Sequence, residues 1–338
     1  MFSGNGEWWK YPWWFDKQYY NDDIDINTIK NAINILKDIF DSSWIVKERN
    51  RIMQEAENYF KQKNIDISQI IDSSKENDYA RYSLSIKYTE KHPLFLHLVS
   101  LQGKAILLKL VDIGSDLDKI FHSKNSEINN KEKFINNIKK KLRKKEDYAG
   151  ALFELNFFSC LSDLNKNFSI TYEPELNNSS GKKPDFAVSS ESENLIIELK
   201  TISKPLKDNE NNNKNNKLKN KIKDVVLKAI EQIQENKPAL ILVGILDLDH
   251  EIYAKSLNDE FKNLVFQYKN VSAVILFFNK NIYDTTGGRL SSDRKESILK
   301  LDFIKNECAD IDITNYEIIR KIMSSDNFKF RNAIKQLF

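Results

Sequence analysis

The run Leu195-Ile-Ile-Glu-Leu-Lys-Thr-Ile202 constrains this chain more than any other segment, because it demands burial yet carries two charges in its middle. Leu195, Ile196, Ile197, Leu199 and Ile202 are apolar on both alternating faces, the pattern of a strand covered above and below. Side chains two residues apart on a strand share a face, so Glu198 and Lys200 project together. Desolvating an unpaired charge is expensive, so the strand must bring the pair to something that needs it. A divalent cation and a phosphate are partners of that kind. The preceding segment, Gly181-Lys-Lys-Pro-Asp-Phe-Ala-Val188, sets a further carboxylate, Asp185, at the start of a second strand.

The surroundings of these strands predict a mixed α/β arrangement. Residues 147–165 read as a helix, and 168–176, 183–190 and 194–203 as three strands joined by turns. Residues 204–217, rich in Asn and Lys, read as a low-complexity loop. A helix over 218–236 follows, with Ile222, Val225, Val226, Ala229, Ile230 and Ile233 on its apolar face, and Pro238 ends it. Residues 239–246 form a buried strand, 254–266 a helix, 272–278 a strand, and 290–338 return to helix. Leu152, Phe153, Leu155, Phe157 and Phe158 leave the helix over 147–165 apolar nearly all round, which draws Glu154 inward.

The first part of the chain is different. Ile29, Ile33, Leu36 and Phe40 recur at steps of three or four, and an apolar helix runs from Pro93 through Leu107, Leu108, Leu110 and Val111. His92, His97 and His122 lack Asp or Glu at ligand spacing, so ordinary satisfied or exposed histidines are expected. The aromatic stretch over residues 1–22, with Trp8, Trp9, Trp13 and Trp14, is expected to pack onto the body or a second subunit rather than to stack on bases. Three divisions follow: 1–130 as a helical accessory domain, 131–285 around the charged strands, and 286–338 as a helical extension.

Charge distribution adds a partner. Eight Lys/Arg face two Glu between Lys131 and Glu146, and seven Lys face Asp208 and Glu210 between Lys204 and Lys223, leaving the rest of the chain acidic. The two runs bracket the charged strands, as expected if a polyanion lies across them. The competing reading is a pair of solvated faces. Cys160 and Cys308 form no CxxC pair, which argues against structural zinc and fits a reducing cytoplasm. No apolar run is long enough for a membrane span, so no membrane role is expected.

The order α-β-β-β-α-β, with Pro184-Asp185 and, thirteen residues later, Glu198-Leu199-Lys200, resembles the PD-(D/E)XK nuclease superfamily. Gly150-Ala-Leu-Phe-Glu154 resembles the GxxxE element that precedes the first strand in many members. The resemblance covers roughly residues 140–280. It implies a restriction-endonuclease-like mixed sheet flanked by helices, here with an all-helical N-terminal domain, and an Mg²⁺-dependent phosphodiester hydrolase for which Mn²⁺ substitutes. Magnesium favours hard oxygen ligands, so Asp185, Glu198, the Leu199 carbonyl and Glu154 are the expected metal ligands. Lys200, beside them, is expected to orient or deprotonate the attacking water and to stabilise the transition state. Lys182, Lys183, Lys204, Lys221, Lys228 and Gln232 are the expected nucleic-acid contacts, the last three on one side of a helix. No Tyr follows Gln232 at the spacing of the exonuclease-like branch. The function expected is a nuclease, with DNA favoured over RNA, in a restriction or phage-defence role, and with the helical N-terminal half serving recognition, regulation or assembly, as a homo-oligomer or with a protein partner. The alternative is an inactive nucleic-acid-binding or scaffold protein that retains the fold.

Overall fold

The aliphatic run of residues 195–202 becomes the middle strand of a seven-stranded mixed sheet, where apolar side chains on both faces find cover that an edge would not offer. The computed structural model of the protein describes residues 104–123, 127–144, 146–162, 164, 167–175, 183–202, 214–233, 237–246, 262–283 and 294–324, with scattered positions between 34 and 64. The aromatic stretch 1–22, Pro93, His92, His97, Lys182 and Lys204 lie outside the described residues.

The chain divides into two compact units, Met1–Asp118 with Arg143–Tyr148, and Lys119–Leu142 with Ala149–Phe338. In the first, the described positions from 34 to 62 are helical apart from a bend at Phe40. Phe40 is fully buried, its ring 5.0 Å from that of Trp44. Helix α1 spans Lys104–Phe121. No helix among the described residues is long and apolar enough to cross a membrane.

In chain order there follow β1 (Ile128–Asn129), α2 (Lys131–Leu142), α3 (Tyr148–Ser162), β2 (Ser169–Tyr172), β3 (Phe186–Ser189), β4 (Asn194–Ile202), α4 (Lys214–Ile230), β5 (Ala239–Leu246), β6 (Val271–Tyr283), β7 (Arg294–Lys305) and α5 (Glu317–Ser324). The strands lie side by side in sequence order. Pairs β1–β2, β4–β5 and β5–β6 are parallel, and β2–β3, β3–β4 and β6–β7 antiparallel. A parallel β4–β5 pair cannot be closed by a hairpin, so α4 makes the crossover.

Each face of the sheet has its own core. On one, Phe134 of α2 packs edge-on against Phe158 of α3 at 4.3 Å and against Tyr172 at 5.0 Å, and Phe186 lies 5.1 Å from Phe158. Truncating such a buried ring to alanine costs about 3–5 kcal/mol. Gly244 belongs to this face, since a Cβ there would come 3.1 Å from the Phe153 ring. On the other face Ile222, Val226 and Ala229 of α4 join Ile196 and Ile202 of β4 and Ile241, Val243 and Ile245 of β5.

Two expectations are corrected. Residues 294–305 are a strand, paired antiparallel with β6 from Ala273↔Lys305 to Tyr283↔Arg294, so the 286–338 extension is not helical throughout; among its described residues, helix is α5 alone. Leu299, Leu301 and Phe303 alternate with Lys300 and Asp302, a period of two that charges on both sides obscure. The helix expected over 218–236 begins at Lys214 and ends at Ile230, which takes the last residues of the expected 204–217 loop into helix. In smaller differences, β1 falls within the half read as all-helical, and only 262–265 of the helix expected over 254–266 is described as helix. β2 stops at Tyr172 because Glu173 adopts a left-handed φ of 43°.

Candidate active site

The site forms where β3 and β4 part. The last antiparallel partners are Phe186 and Ile197, after which β4 keeps β5 and loses β3. The Leu199 N–H would be left without a ladder partner, and Asp185 Oδ2 accepts it at 2.7 Å. In return the Asp185 N–H donates to Glu198 Oε2 at 3.1 Å. The Asp185 carbonyl accepts from the Glu173 N–H at 2.8 Å, so residue 185 is held on three sides. In an extended residue N–H and C=O point the same way, so the Leu199 carbonyl shares this opening.

Lys200 completes the β4 contribution. Its Nζ donates to Glu198 Oε1 and, at 2.8 Å, to Gln232 Oε1. Gln232 sits in the tight turn closing α4, its N–H bonded to the Ala229 carbonyl at 3.0 Å, and its Nε2 donates to the Lys183 carbonyl at 3.2 Å. Glu198 is fully buried, while the Lys200 side chain keeps 23% exposure. The strand period that predicts Glu198 and Lys200 on one face therefore ends in direct contact.

Glu154 arrives from the other face of the sheet. Its helix lies against Thr201, which alternates with Lys200, at Gly150 one turn earlier. Glu154 is 6% exposed; Oε2 accepts from Lys141 Nζ at 2.6 Å, and Oε1 is buried with no hydrogen-bond partner among the described residues. Lys141 is the last of a row at steps of four along α2. Lys133 pairs with Glu173 at 2.7 Å, and Asn137 donates to the Tyr172 hydroxyl at 3.4 Å and to Glu173 Oε1 at 3.5 Å.

The three carboxylates share one field. Burial pushes the Asp185 pKa well above the usual carboxylate range, and the charges of Glu198 and Glu154 push the same way against Lys200 and the Leu199 N–H. Burial likewise raises Glu198, with Lys200 opposing. Burial alone would lower the Lys141 pKa, but Glu154, Asp185 and Glu173 outweigh it and raise it. Among the described residues no three His, Cys, Asp or Glu side chains come together as a ready-made metal cage. The donor set nonetheless suits a hard cation. Magnesium usually takes only one or two carboxylates and fills the octahedron with waters and phosphate oxygens, and Glu154 Oε1 is a buried oxygen without a hydrogen-bond partner among the described residues.

Of the expected site residues, Asp185, Glu198, Leu199, Lys200 and Gln232 meet, with Glu154 across the sheet. Lys183 contributes only its carbonyl, since its Nζ turns to Glu175 at 3.1 Å. Lys221 is half-buried and Lys228 exposed on α4, and among the described residues neither bonds to the charged strands. Lys141 and Glu173 were not singled out by sequence reasoning. Phe134, Ile135, Ile138 and Leu142, all buried, mark α2 as an amphipathic helix inside the lysine run, and that spacing was the available signal. No family model matches the chain, and no curated protein matches it.

Proposed function

We propose that the protein is a metal-dependent nuclease built on a restriction-endonuclease-like core over residues 140–280, hydrolysing phosphodiester bonds with DNA preferred to RNA. The observation that carries this reading is the junction of β3 and β4. Two carboxylates of raised proton affinity, Asp185 and Glu198, stand there beside a lysine whose ammonium is anchored at two points. Asp185, Glu198 and the Leu199 carbonyl, supported by Glu154, would hold Mg²⁺ or Mn²⁺, which supplies shielding of phosphate charge and acidification of water.

The remaining work falls to the protein's own groups. Glu198 Oε1 and Gln232 Oε1 engage two of the three protons on Lys200 Nζ, leaving one for the attacking water or a non-bridging phosphate oxygen. A donor fixed before the reaction needs no reorganisation as charge grows on the phosphate. Gln232, tied in turn to the Lys183 carbonyl, keeps the ammonium from following its flexible stem.

A second reading, an inactive nucleic-acid-binding or scaffold protein on the same fold, draws on the reciprocal bonds of Asp185 and Glu198 to backbone N–H groups. Those bonds give both carboxylates a structural task. Incubation with plasmid, linear duplex, single strands and RNA separates the two. Cleavage with Mg²⁺ or Mn²⁺ that EDTA stops, lost in Lys200→Ala, supports the nuclease. Binding to DNA without cutting under either metal supports the scaffold.

A further inference from the structure

We infer that Lys141, on a helix outside the motif, is a positioning residue that grips Glu154 by Oε2 and leaves Oε1 free as an oxygen ligand for the divalent cation. The inference rests on the nuclease reading for its cleavage arm only. An ammonium on one carboxylate oxygen fixes the rotamer of that carboxylate and leaves the lone pairs of the other oxygen available. Here the grip is 2.6 Å long, and the gripped side chain is 8% exposed against 39% for Lys141. The free oxygen is buried and has no hydrogen-bond partner among the described residues. An unused buried carboxylate oxygen has no structural rationale and costs stability unless something binds it.

Lys141 is also held in place by the rest of α2. Phe134, Ile135, Ile138 and Leu142 seat the helix, and the pairs from Lys133 and Asn137 to Glu173 set its rotation. The basic character of α2 turns inward more than outward. Lys131 donates to the Phe121 carbonyl at 2.6 Å, Lys133 pairs with Glu173 and Lys141 with Glu154. Only Lys139 and Lys140 of the helix lack a partner among the described residues. A polyanion lying across this helix would find two free lysines rather than the whole run, which leaves the inward contact as the main task of Lys141.

Calorimetric titration of Mn²⁺ into wild type and variants tests this without reference to cleavage. Lys141→Met is expected to weaken Mn²⁺ binding about tenfold, the loss typical when the partner of a ligating carboxylate is removed. Lys141→Arg should recover most of it, and Lys141→Met should add nothing in a Glu154→Gln background. The control is Lys305→Met, which breaks a 2.7 Å ion pair of similar exposure, 43%, on a strand three places from β4, and should leave Mn²⁺ affinity unchanged. In cleavage assays Lys141→Met should lower kcat with little change in KM for DNA. If Lys141→Met loses its far-ultraviolet dichroism, Lys141→Gln, which keeps a donor, replaces it. Equal or tighter Mn²⁺ binding in the variant overturns the inference, because Lys141 would then be a mere counter-charge. Wild type that binds Mn²⁺ and never cuts removes the nuclease reading and leaves the calorimetric result to decide on Lys141. Wild type that binds no Mn²⁺ overturns both.

Discussion

Asn306 and Glu154 are buried almost equally, at 2% and 6% exposure, and the fold treats them in opposite ways. The Asn306 amide reaches the carbonyls of Val265, Tyr268 and Val271 at 3.0, 2.9 and 2.7 Å, while its Oδ1 accepts the Cys308 N–H at 3.0 Å. Its own N–H donates to the Ser272 carbonyl at 3.0 Å, so it ties the end of β7 to the turn before β6 with nothing left over. The Glu154 region has a surplus: an oxygen with no hydrogen-bond partner among the described residues, and two nearby carboxylates whose charge the surroundings disfavour. A satisfied neutral centre stabilises the fold. A charged centre with spare valence is tolerated at a cost, as at sites kept for a ligand.

The contrast breaks first on activity. Asp185→Ala, Glu198→Ala and Lys200→Ala are each expected to lower cleavage by about 10²–10³-fold or more with circular dichroism unchanged. Asn306→Ala should leave the rate per folded molecule where it was. Undiminished metal-dependent cleavage in all three site variants would sink the assignment. Stability should reverse the order. Asn306→Ala removes the side chain that links three carbonyls and leaves the Cys308 N–H without its Oδ1 acceptor, and is expected to lose about 2–3 kcal/mol in urea unfolding.

Removing a site charge should do the opposite. Asp185→Asn retains an acceptor for the Leu199 N–H and is expected to raise the melting temperature of the metal-free protein by roughly 2–4 °C, about 1 kcal/mol for a unit of this size. The sign of its pH dependence follows from the raised pKa. Asp185 and Glu198 bind protons more tightly folded than unfolded, so their contribution is favourable below the ordinary carboxylate range. That contribution is lost as pH rises through the folded values. The advantage of Asp185→Asn should therefore grow from pH 5 to pH 8, and added Mn²⁺ should narrow it by stabilising wild type; a constant difference would show that the charge is not disfavoured. The smallest effect is expected at the far end of the β3–β4 hairpin. There Glu193 accepts the Glu317 N–H at 2.6 Å and caps α5, and Glu193→Ala should cost about 0.5 kcal/mol with no change in cleavage.

Legibility in the sequence followed the range of the forces involved. β5 lies within the limits read from its apolar run, and β4 differs by one residue, because an unbroken aliphatic stretch has few ways to be buried. β7 reads as helix in the sequence because its apolar alternation is interrupted by charges, and what makes it a strand is the long β6 edge beside it. Gln232 was nameable from its place on the helix after the motif. Its double bond to Lys200 and the Lys183 carbonyl depends on where α4 ends. Lys141 was legible only as one of eight Lys/Arg in a basic run.

The pairing of Glu198 with Lys200 on one strand face, the inward draw on Glu154 and the cover over β4 were determined by the sequence itself, since each depends on a local period or on apolar neighbours along the chain. The tertiary structure alone decided that β3 begins opposite Ile197, that Asp185 just before it therefore caps the Leu199 N–H, and that Lys141 rather than another lysine meets Glu154. Those contacts depend on strand register and helix rotation, which are set by packing between segments far apart in the chain.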